Sequence, residues 1–572
     1  MIDRVASLPD NQEVADAFDL LADLSELLGE EGFRVQAYRR AATRVRDTAA
    51  SAAELALAGQ AKELPGIGKT IEAKIVELAR TGSMEALEKR RAQVPEGLTA
   101  FLRLPGLGPK TAARIWRELG VTTLDELKAA AEQQRLRALP GLGARSEERI
   151  LEALAKGVGA EPERRGLLGK GLPVVRQVVE ALRAHPAAVD VSEAGSTRRR
   201  KETFRDLDVI ATSTDPASLI AHFVGLPWVL EVAAHGESKA TVITKQGLRL
   251  DLRVVPPESY GDLLQHFTGS KEHNVALREE AQRHGLSVSE YGVTTVETGV
   301  VHTFRTEEEL YTFLGYAYIP PELRENGGEL EAAREGRLPT LVELADLVGE
   351  MHCHSTWSAD GRSSIEELAV AARERGYGYL CLTDHSHYLR DGRMEAQWEE
   401  IAAVNERVAP FRVLRGVEAN IRVNGEVDVP DELLDQLDWV VASLHSAFDR
   451  SPTERILAAI EHPHVHCIGH LTGRKLGRRE GGRVDVERVV ARAAETGTAL
   501  EINSHPDRLD LRDVHARLAG EAGVLVPVNT DAHVARELEL VEYGVAQARR
   551  AWLTREQVLN THGWGEIVRL RG

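Results

Sequence analysis

Gly195-Ser-Thr-Arg-Arg-Arg-Lys-Glu-Thr-Phe-Arg-Asp-Leu-Asp208 is the stretch on which the reading of this 572-residue chain turns. Asp206 and Asp208 stand two apart, so on a strand both carboxylates point to one side while Leu207 and Val209 face a core. Two like charges this close repel, and hard divalent cations with oxygen ligands remove that repulsion. Farther along, Leu248, Leu250, Leu252 and Val254 alternate with Arg249, Asp251 and Arg253, the period of two expected of a strand with one buried face. Asp251 therefore adds a third carboxylate on an outward face. Gly195-Ser196 supplies backbone amides and a hydroxyl, and Arg198-Arg199-Arg200 supplies guanidinium groups, a set suited to a triphosphate. A lone Asp-x-Asp also describes a solvated strand face. The third carboxylate, the Gly-Ser pair and the arginines favour an ion-dependent phosphoryl-transfer centre over it.

Upstream, residues 12–155 carry apolar positions at helical spacing, as in Val14, Phe18, Leu21, Leu24, Leu27 and Leu28. Three short interruptions repeat at intervals of 40 and 35 residues: Leu64-Pro-Gly-Ile-Gly68, Leu104-Pro-Gly-Leu-Gly108 and Leu139-Pro-Gly-Leu-Gly143. Each stands before a helical pattern, where glycine permits a tight turn and free N–H groups can hold a phosphate oxygen. They resemble helix-hairpin-helix elements, which grip a DNA backbone without reading its sequence. That assigns DNA binding to Gly66, Gly68, Gly106, Gly108, Gly141 and Gly143. The net charge of −18 hides an asymmetry that agrees with this, since residues 101–200 hold 18 Lys and Arg against 12 Asp and Glu. A solvated basic surface would give the same count.

Beyond 346, seven short apolar runs alternate with helical patterns, near 350–354, 378–382, 413–417, 439–443, 466–469, 498–502 and 524–528, as in a β/α barrel. Thirteen of the 20 histidines fall in residues 351–572. Nine ligand-type residues follow the run ends, where such barrels place their chemistry: His352, His354, Asp360, His385, Glu418, His445, His470, Asp531 and His533. They exceed the four to six donors that one ion usually takes, so two or three ions are implied, and mixed imidazole and carboxylate donors suit Mn²⁺, Zn²⁺ or Fe. Such ions either serve catalysis or only hold the domain together.

The quoted stretch from Gly195 to Asp208 resembles the nucleotidyltransferase motif of family X DNA polymerases. The resemblance implies that Asp206 and Asp208 bind two Mg²⁺ or Mn²⁺ ions, that Asp251 binds the catalytic one, and that Gly195, Ser196 and Arg199 hold the triphosphate. His266-Phe-Thr-Gly-Ser-Lys-Glu-His-Asn274 is similar to the family's Tyr-Phe-Thr-Gly-Ser segment. It implies Phe267 and Gly269 against the sugar, Asn274 near the base edge and Arg278 on the template side. Arg200 and Arg205 stand where the family usually has glycine, and His266 where it has an aromatic. Phe33-Arg-Val-Gln-Ala-Tyr-Arg-Arg-Ala-Ala42 resembles the small domain that holds a 5′-phosphate. Lys74 then falls at the position of a Schiff-base lysine, with lyase chemistry or simple phosphate binding both open. The C-terminal ligands, including Thr383-Asp-His385, Gly416-Val-Glu418 and Thr530-Asp-Ala-His533, resemble the PHP (polymerase and histidinol phosphatase) domain. One residue is inserted before Asp360 relative to the commoner Ser-Asp-Gly. Arg474 and Arg508 are candidate phosphate clamps.

The expected fold is multidomain: helical domains over 1–88 and 89–155, an α+β nucleotidyltransferase palm over 156–256, a thumb-like domain over 257–321, a linker over 322–346 and a distorted (β/α)7 barrel over 347–572. The expected activity is filling of short gaps in DNA with dNTPs, together with 3′-5′ exonuclease action that extends to abasic-site or 3′-phosphate cleavage. Gapped or nicked duplex is the expected partner of a monomer. A template-independent nucleotidyltransferase joined to a small-molecule phosphatase and a non-enzymatic gap-binding protein are the alternatives. Cys353, Cys381 and Cys467 show no paired spacing, and no stretch reaches the roughly 18 apolar residues of a spanning helix, so a cytoplasmic protein without membrane contact is expected.

Overall fold

The computed structural model describes residues 8–571 apart from residues 10, 31, 47, 49, 50, 65, 96, 103, 105, 106, 140, 141 and 157–164, so Gly106 and Gly141 lie outside the described residues. The chain divides into two compact units, residues 1–164 and 165–572.

The first unit is helical. Helices Asn11–Leu28 and Gly32–Arg46 pair through Val14, Phe18, Leu21, Leu24 and Leu27 on one side and Val35, Tyr38 and Ala41 on the other, all buried. The described residues of the three repeated pentapeptides make one hydrogen bond three times. The N–H of Ile67 donates to the carbonyl of Leu64 (3.0 Å), that of Leu107 to Leu104 (3.1 Å) and that of Leu142 to Leu139 (3.0 Å). Ile67, Leu107 and Leu142 are buried and anchor each turn, while Gly68, Gly108 and Gly143 open helices Lys69–Thr81, Pro109–Leu119 and Ala144–Lys156. Gly66 has φ +85°, a conformation that side chains resist. At Gly68, Gly108 and Gly143 an added Cβ would meet nothing within 4 Å. No internal contact therefore requires glycine there, and what the missing side chain leaves open is the approach from outside.

The second unit begins with a five-stranded sheet in the order Ala188–Ala194, Leu207–Ser213, Arg249–Val255, Lys239–Thr244, Val229–His235. Leu207–Ser213 and Arg249–Val255 run parallel, and the other neighbours are antiparallel. Leu207, Val209 and Ala211, with Leu250, Leu252 and Val254, pack into the core containing helices Leu168–Arg183 and Pro216–Val224. On the opposite face Ile210 meets Leu263 and Leu264 of helix Tyr260–Thr268. Helix Lys271–Arg283, a three-stranded antiparallel sheet and helix Glu307–Phe313 follow.

Residues 322–346 are not an exposed tether. They contain helix Glu329–Arg334, and Leu323, Arg324 and Glu329 are buried. Three of the acidic residues that suggest a solvated linker have a basic partner distant in sequence: Glu322 meets Arg549 (2.8 Å), Glu325 meets Arg199 (3.0 Å) and Glu329 meets His273 (2.7 Å).

In the C-terminal part, strands Gly349–Cys353, Tyr379–Leu382, Arg412–Asn420, Trp439–Ser443, Cys467–Ile468 and Ala499–Leu500 form one parallel sheet in sequence order. Ile502–Asn503 pairs with Val528–Asn529, and a parallel bridge between Cys353 and Ala532 links the last strand region back to the first. With Ala499–Leu500 and Ile502–Asn503 counted as one strand interrupted at Glu501, the sheet is curled into a distorted seven-stranded barrel, with the parallel strands ending at the same rim. All three cysteines are free and buried. No helix among the described residues is long and apolar enough to cross a membrane.

The palm and the barrel share contacts. Leu509 and Tyr543 enter the palm core, Arg474 pairs with Glu202 (2.7 Å) and Arg176 with Glu542 (2.9 Å). Arg550, whose side chain is 2% exposed, donates to Asp513 (2.5 Å), to Glu325 (3.0 Å) and to the carbonyl of Arg199 (2.8 Å). Removing one partner of a buried ion pair strands the other charges, so Arg550→Ala is expected to cost about 3–5 kcal/mol. Urea unfolding of this variant against Arg492→Ala, which loses only exposed pairs with Glu461 and Glu495, checks this. The midpoint should fall clearly for the first and stay in place for the second.

Candidate functional site

In the palm, parallel pairing places Asp208 directly opposite Asp251. Residues so paired on parallel strands project to the same face. Asp206 lies one residue before the strand, which starts at Leu207 rather than including both aspartates, and its carboxylate still acts on Asp208. Burial, then the charges of Asp206 and Asp251, push the Asp208 carboxyl up to about 7. Three carboxylates thus converge with too little positive charge between them, which is the setting a divalent cation relieves. Gly195 has φ +63°, and a Cβ there would lie 2.2 Å from the Asp208 Oδ2. Only glycine lets this backbone reach the carboxylate. Asp251 also accepts hydrogen bonds from Thr241 and Arg249.

The arginine run is already engaged. Arg198 forms a two-pronged pair with Glu307 (2.6 and 2.9 Å), and Arg200 pairs with Glu193 (2.8 Å). These two do not present free forks to a ligand, contrary to the reading of the run as a triphosphate clamp. Arg199 lies between: its Nε donates to Glu325 (3.0 Å) and its Nη1 to the carbonyl of Thr268. A Cβ on Gly269, which has φ +68°, would come within 3.1 Å of Arg199 Nη1. Phe267 is covered by the Arg253 guanidinium at 4.3 Å. Asn274 donates to the carbonyl of His266 (2.7 Å) and accepts from Gln265 (2.9 Å), so its side chain is tied to the helix end. Arg278 contacts the His266 ring at 2.9 Å. In the first unit Lys74 lies on helix Lys69–Thr81, and burial followed by the charge of Arg90 lowers its pKa.

In the barrel all nine candidate ligands gather at one rim. Glu418 is central: one of its oxygens is 3.1 Å from both His445 Nε2 and His470 Nε2, and the other is 2.7 Å from His385 Nδ1. Asp531 Oδ1 is 3.1 Å from His354 Nε2 and 3.7 Å from His352 Nε2. Asp360, despite the inserted residue before it, puts its carboxylate 3.3 Å from both His385 and His533. The triads His352–His354–Glu418, His385–Glu418–His445 and His354–His385–His533 each bring three donor atoms within 4.8 Å of one another. His352 Nε2, His354 Nε2 and Glu418 Oε2 are buried without a hydrogen-bond partner. Buried polar atoms left this way fit ion ligands. His470 (φ +25°) and Asp531 (φ +54°) hold strained backbone, as functional sites often do.

A second layer, not named by the sequence reading, orients these rings. His352 Nδ1–H donates to Glu501 (2.7 Å) and His445 Nδ1–H to Asn420 (2.7 Å), which leaves each Nε2 aimed inward. Glu501 also accepts from Asn529 and from the backbone of His470. Its position inside the sixth apolar run, between Leu500 and Ile502, was the available signal. Arg508 Nε is 3.6 Å from Asp531. Arg474 is no clamp, because its guanidinium is buried against Glu202 of the palm and the Leu509 carbonyl.

The chain is 39% identical over 567 residues to the DNA polymerase/3′-5′ exonuclease PolX of Bacillus subtilis (strain 168), covering 97% of this chain and 98% of that protein. The chain belongs to the family X DNA polymerases that carry a PHP domain. Residues 9–84 match the helix-hairpin-helix domain, 98–156 the SAM-like helix-hairpin-helix tandem, 263–325 the DNA polymerase beta thumb and 350–505 the PHP domain. The C-terminal part is also 32% identical over 228 residues to a probable phosphatase of Thermoanaerobacter sp. (strain X514), covering 38% of this chain and 91% of that protein.

The family X palm carries a pH signature. Asp208 has a folded pKa of about 7 against an ordinary 3.8, so its burial is harmless at low pH and increasingly destabilising as pH rises from about 4 to about 7. Asp208→Asn removes that repulsion. In chelator, the variant should melt above the parent at pH 8, and the difference should shrink toward zero near pH 4. A constant difference across the range would contradict this origin.

Proposed function

We propose that this family X chain fills short gaps in duplex DNA at the palm and removes nucleotides from 3′ ends at the PHP cluster. The register of Asp208 against Asp251 carries the first half of this reading. It sets carboxylates side by side where a primer 3′-hydroxyl and a triphosphate would otherwise be repelled. Mg²⁺ or Mn²⁺ at Asp206, Asp208 and Asp251, and two or three Mn²⁺, Zn²⁺ or Fe ions at the nine PHP residues, would supply charge neutralisation for phosphoryl transfer. Around them the chain's own groups orient the substrate. Gly195 and Ser196 face the triphosphate with backbone N–H and hydroxyl, and Arg199 exchanges Glu325 for a phosphate oxygen. Phe267 and Gly269 border the sugar, Asn274 lies toward the base edge, and Arg278 reaches the template side. The open glycines Gly68, Gly108 and Gly143 let helix starts approach a DNA backbone, which favours gapped or nicked duplex as partner of a monomeric enzyme.

A primer-labelled duplex with a one-nucleotide gap, incubated with Mn²⁺, should lengthen with dNTPs and shorten without them. Asp206→Ala is expected to abolish only lengthening, and His352→Ala only shortening. Loss of both activities from either change would defeat the assignment of separate sites.

The lowered pKa of Lys74 favours a second, smaller activity, 5′-deoxyribose-phosphate lyase chemistry through a Schiff base. Borohydride should trap the parent, and not Lys74→Ala, on a 5′-deoxyribose-phosphate end. Equal trapping of both proteins would leave Lys74 a phosphate contact.

A further inference from the structure

The two loops that follow the ligands His354 and His385 enclose a cavity of about 340 Å³ lined by Thr356, Trp357, His387, Tyr388, Arg390 and Arg393, among others. Because the loops leave the same rim as the nine-residue cluster, the cavity opens beside it. Its lining is aromatic and charged, with two arginines against one carboxylate, Asp391. The indole N–H of Trp357 donates to Glu400 (2.9 Å), which fixes the ring, and the Arg393 guanidinium lies 5.0 Å from the ring centroid. Arg393 Nε donates in turn to the Tyr388 carbonyl (2.7 Å). The Tyr388 ring is 4.0 Å from His387 and 6.2 Å from the ligand His385, so rings run from the cluster into the cavity without a break. Arg390 is 62% exposed, and its acidic neighbour Asp428 is 3.8 Å away.

Aromatic faces with guanidinium groups are the chemistry that receives a stacked base and its backbone phosphate irrespective of sequence. A small phosphomonoester would use the cations and leave the rings idle. The volume is at the low end of that of small-molecule sites and is too small for a duplex.

We propose that this cavity seats the 3′-terminal nucleotide of a single DNA strand, its base among Trp357, His387 and Tyr388 and the adjoining backbone phosphate toward Arg390 and Arg393, with the scissile phosphate at the cluster. This rests on the reading of the PHP cluster as a phosphodiesterase.

The test compares two oligonucleotides with the full-length protein, one ending in a normal 3′ nucleotide and one whose terminal unit lacks its base. The parent should show a KM lower by about tenfold or more for the base-bearing end, since one stacked base commonly contributes that much. Trp357→Ala and Tyr388→Ala should raise KM for the base-bearing end to that of the base-free end and so erase the ratio, whereas Trp357→Phe and Tyr388→Phe should keep most of it. Arg390→Ala should raise KM for both ends together. A readout independent of turnover is 2-aminopurine at the 3′ terminus, which the parent in chelator should quench and Trp357→Ala should not. Equal KM values for the two ends with the parent, or no quenching, would overturn the subsite. If the parent cleaves neither end, the phosphodiesterase reading fails instead, and the quenching experiment alone decides whether the cavity holds a base.

Discussion

Two carboxylates held opposite one another on parallel strands are the constraint from which the polymerase half of this protein follows. Asp208 and Asp251 share one rung of the palm sheet, and Asp206 stands just outside it. The sheet geometry fixes their separation, so they cannot relax apart. Burial makes the arrangement worse for the folded chain until positive charge arrives, and the charges of Arg253 and Arg199 offset it only in part from within the protein. The PHP half obeys the same rule with different donors. Glu418 is buried among imidazoles delivered by neighbouring parallel strands, and the histidines and a second acid, Asp531, surround it. The donors at one site are oxygens alone and at the other nitrogens and oxygens, sets that suit different divalent ions.

The palm and the PHP barrel are not beads on a string. Arg550 of the barrel donates to the backbone of Arg199 in the palm and shares Glu325 with the Arg199 side chain. Burial opposes ionisation of Glu325, but the charges of Lys201, Arg199 and Arg550 outweigh it and lower its pKa to about 2. Buried networks of this kind contribute less to net stability than their number suggests, because desolvation offsets most of the attraction. What they do fix is geometry: Arg199 of the palm is held in place partly by the PHP barrel.

Much of this was legible in the sequence, and for stated reasons. The Asp-x-Asp spacing, the alternation around Asp251 and the three repeated pentapeptides are local patterns, and local patterns follow strand and helix periods. The seven apolar runs foretold the barrel strands nearly one for one, and the residues after them foretold the rim. What was not legible is pairing across long separations. Arg474 meets Glu202 across 272 residues and Arg199 meets Glu325 across 126, and no spacing rule announces either contact. For the same reason residues 322–346 read as an acidic linker, when Glu322, Glu325 and Glu329 are partners of distant cations. Glu501 was missed because it interrupts an apolar run, where a carboxylate has no role until the His352 ring beside it is known to need orienting.

Arg200 shows how such distant contacts let a residue break a local rule. It stands where family X chains usually have glycine, and its φ of +57° is the left-handed conformation that glycine adopts freely and side chains resist. The strain of a single such residue is on the order of 1–3 kcal/mol. Against it, the Arg200 guanidinium pairs with Glu193 at 2.8 Å and donates to the Thr197 carbonyl at 2.6 Å, closing the turn that carries Ser196 and Arg199. The glycine turn has therefore been replaced by a cross-linked one. Flexibility after the Gly195–Arg198 turn is exchanged for a salt bridge onto strand Ala188–Ala194, the same strand whose Ala194 leads into Gly195 and so toward the carboxylates.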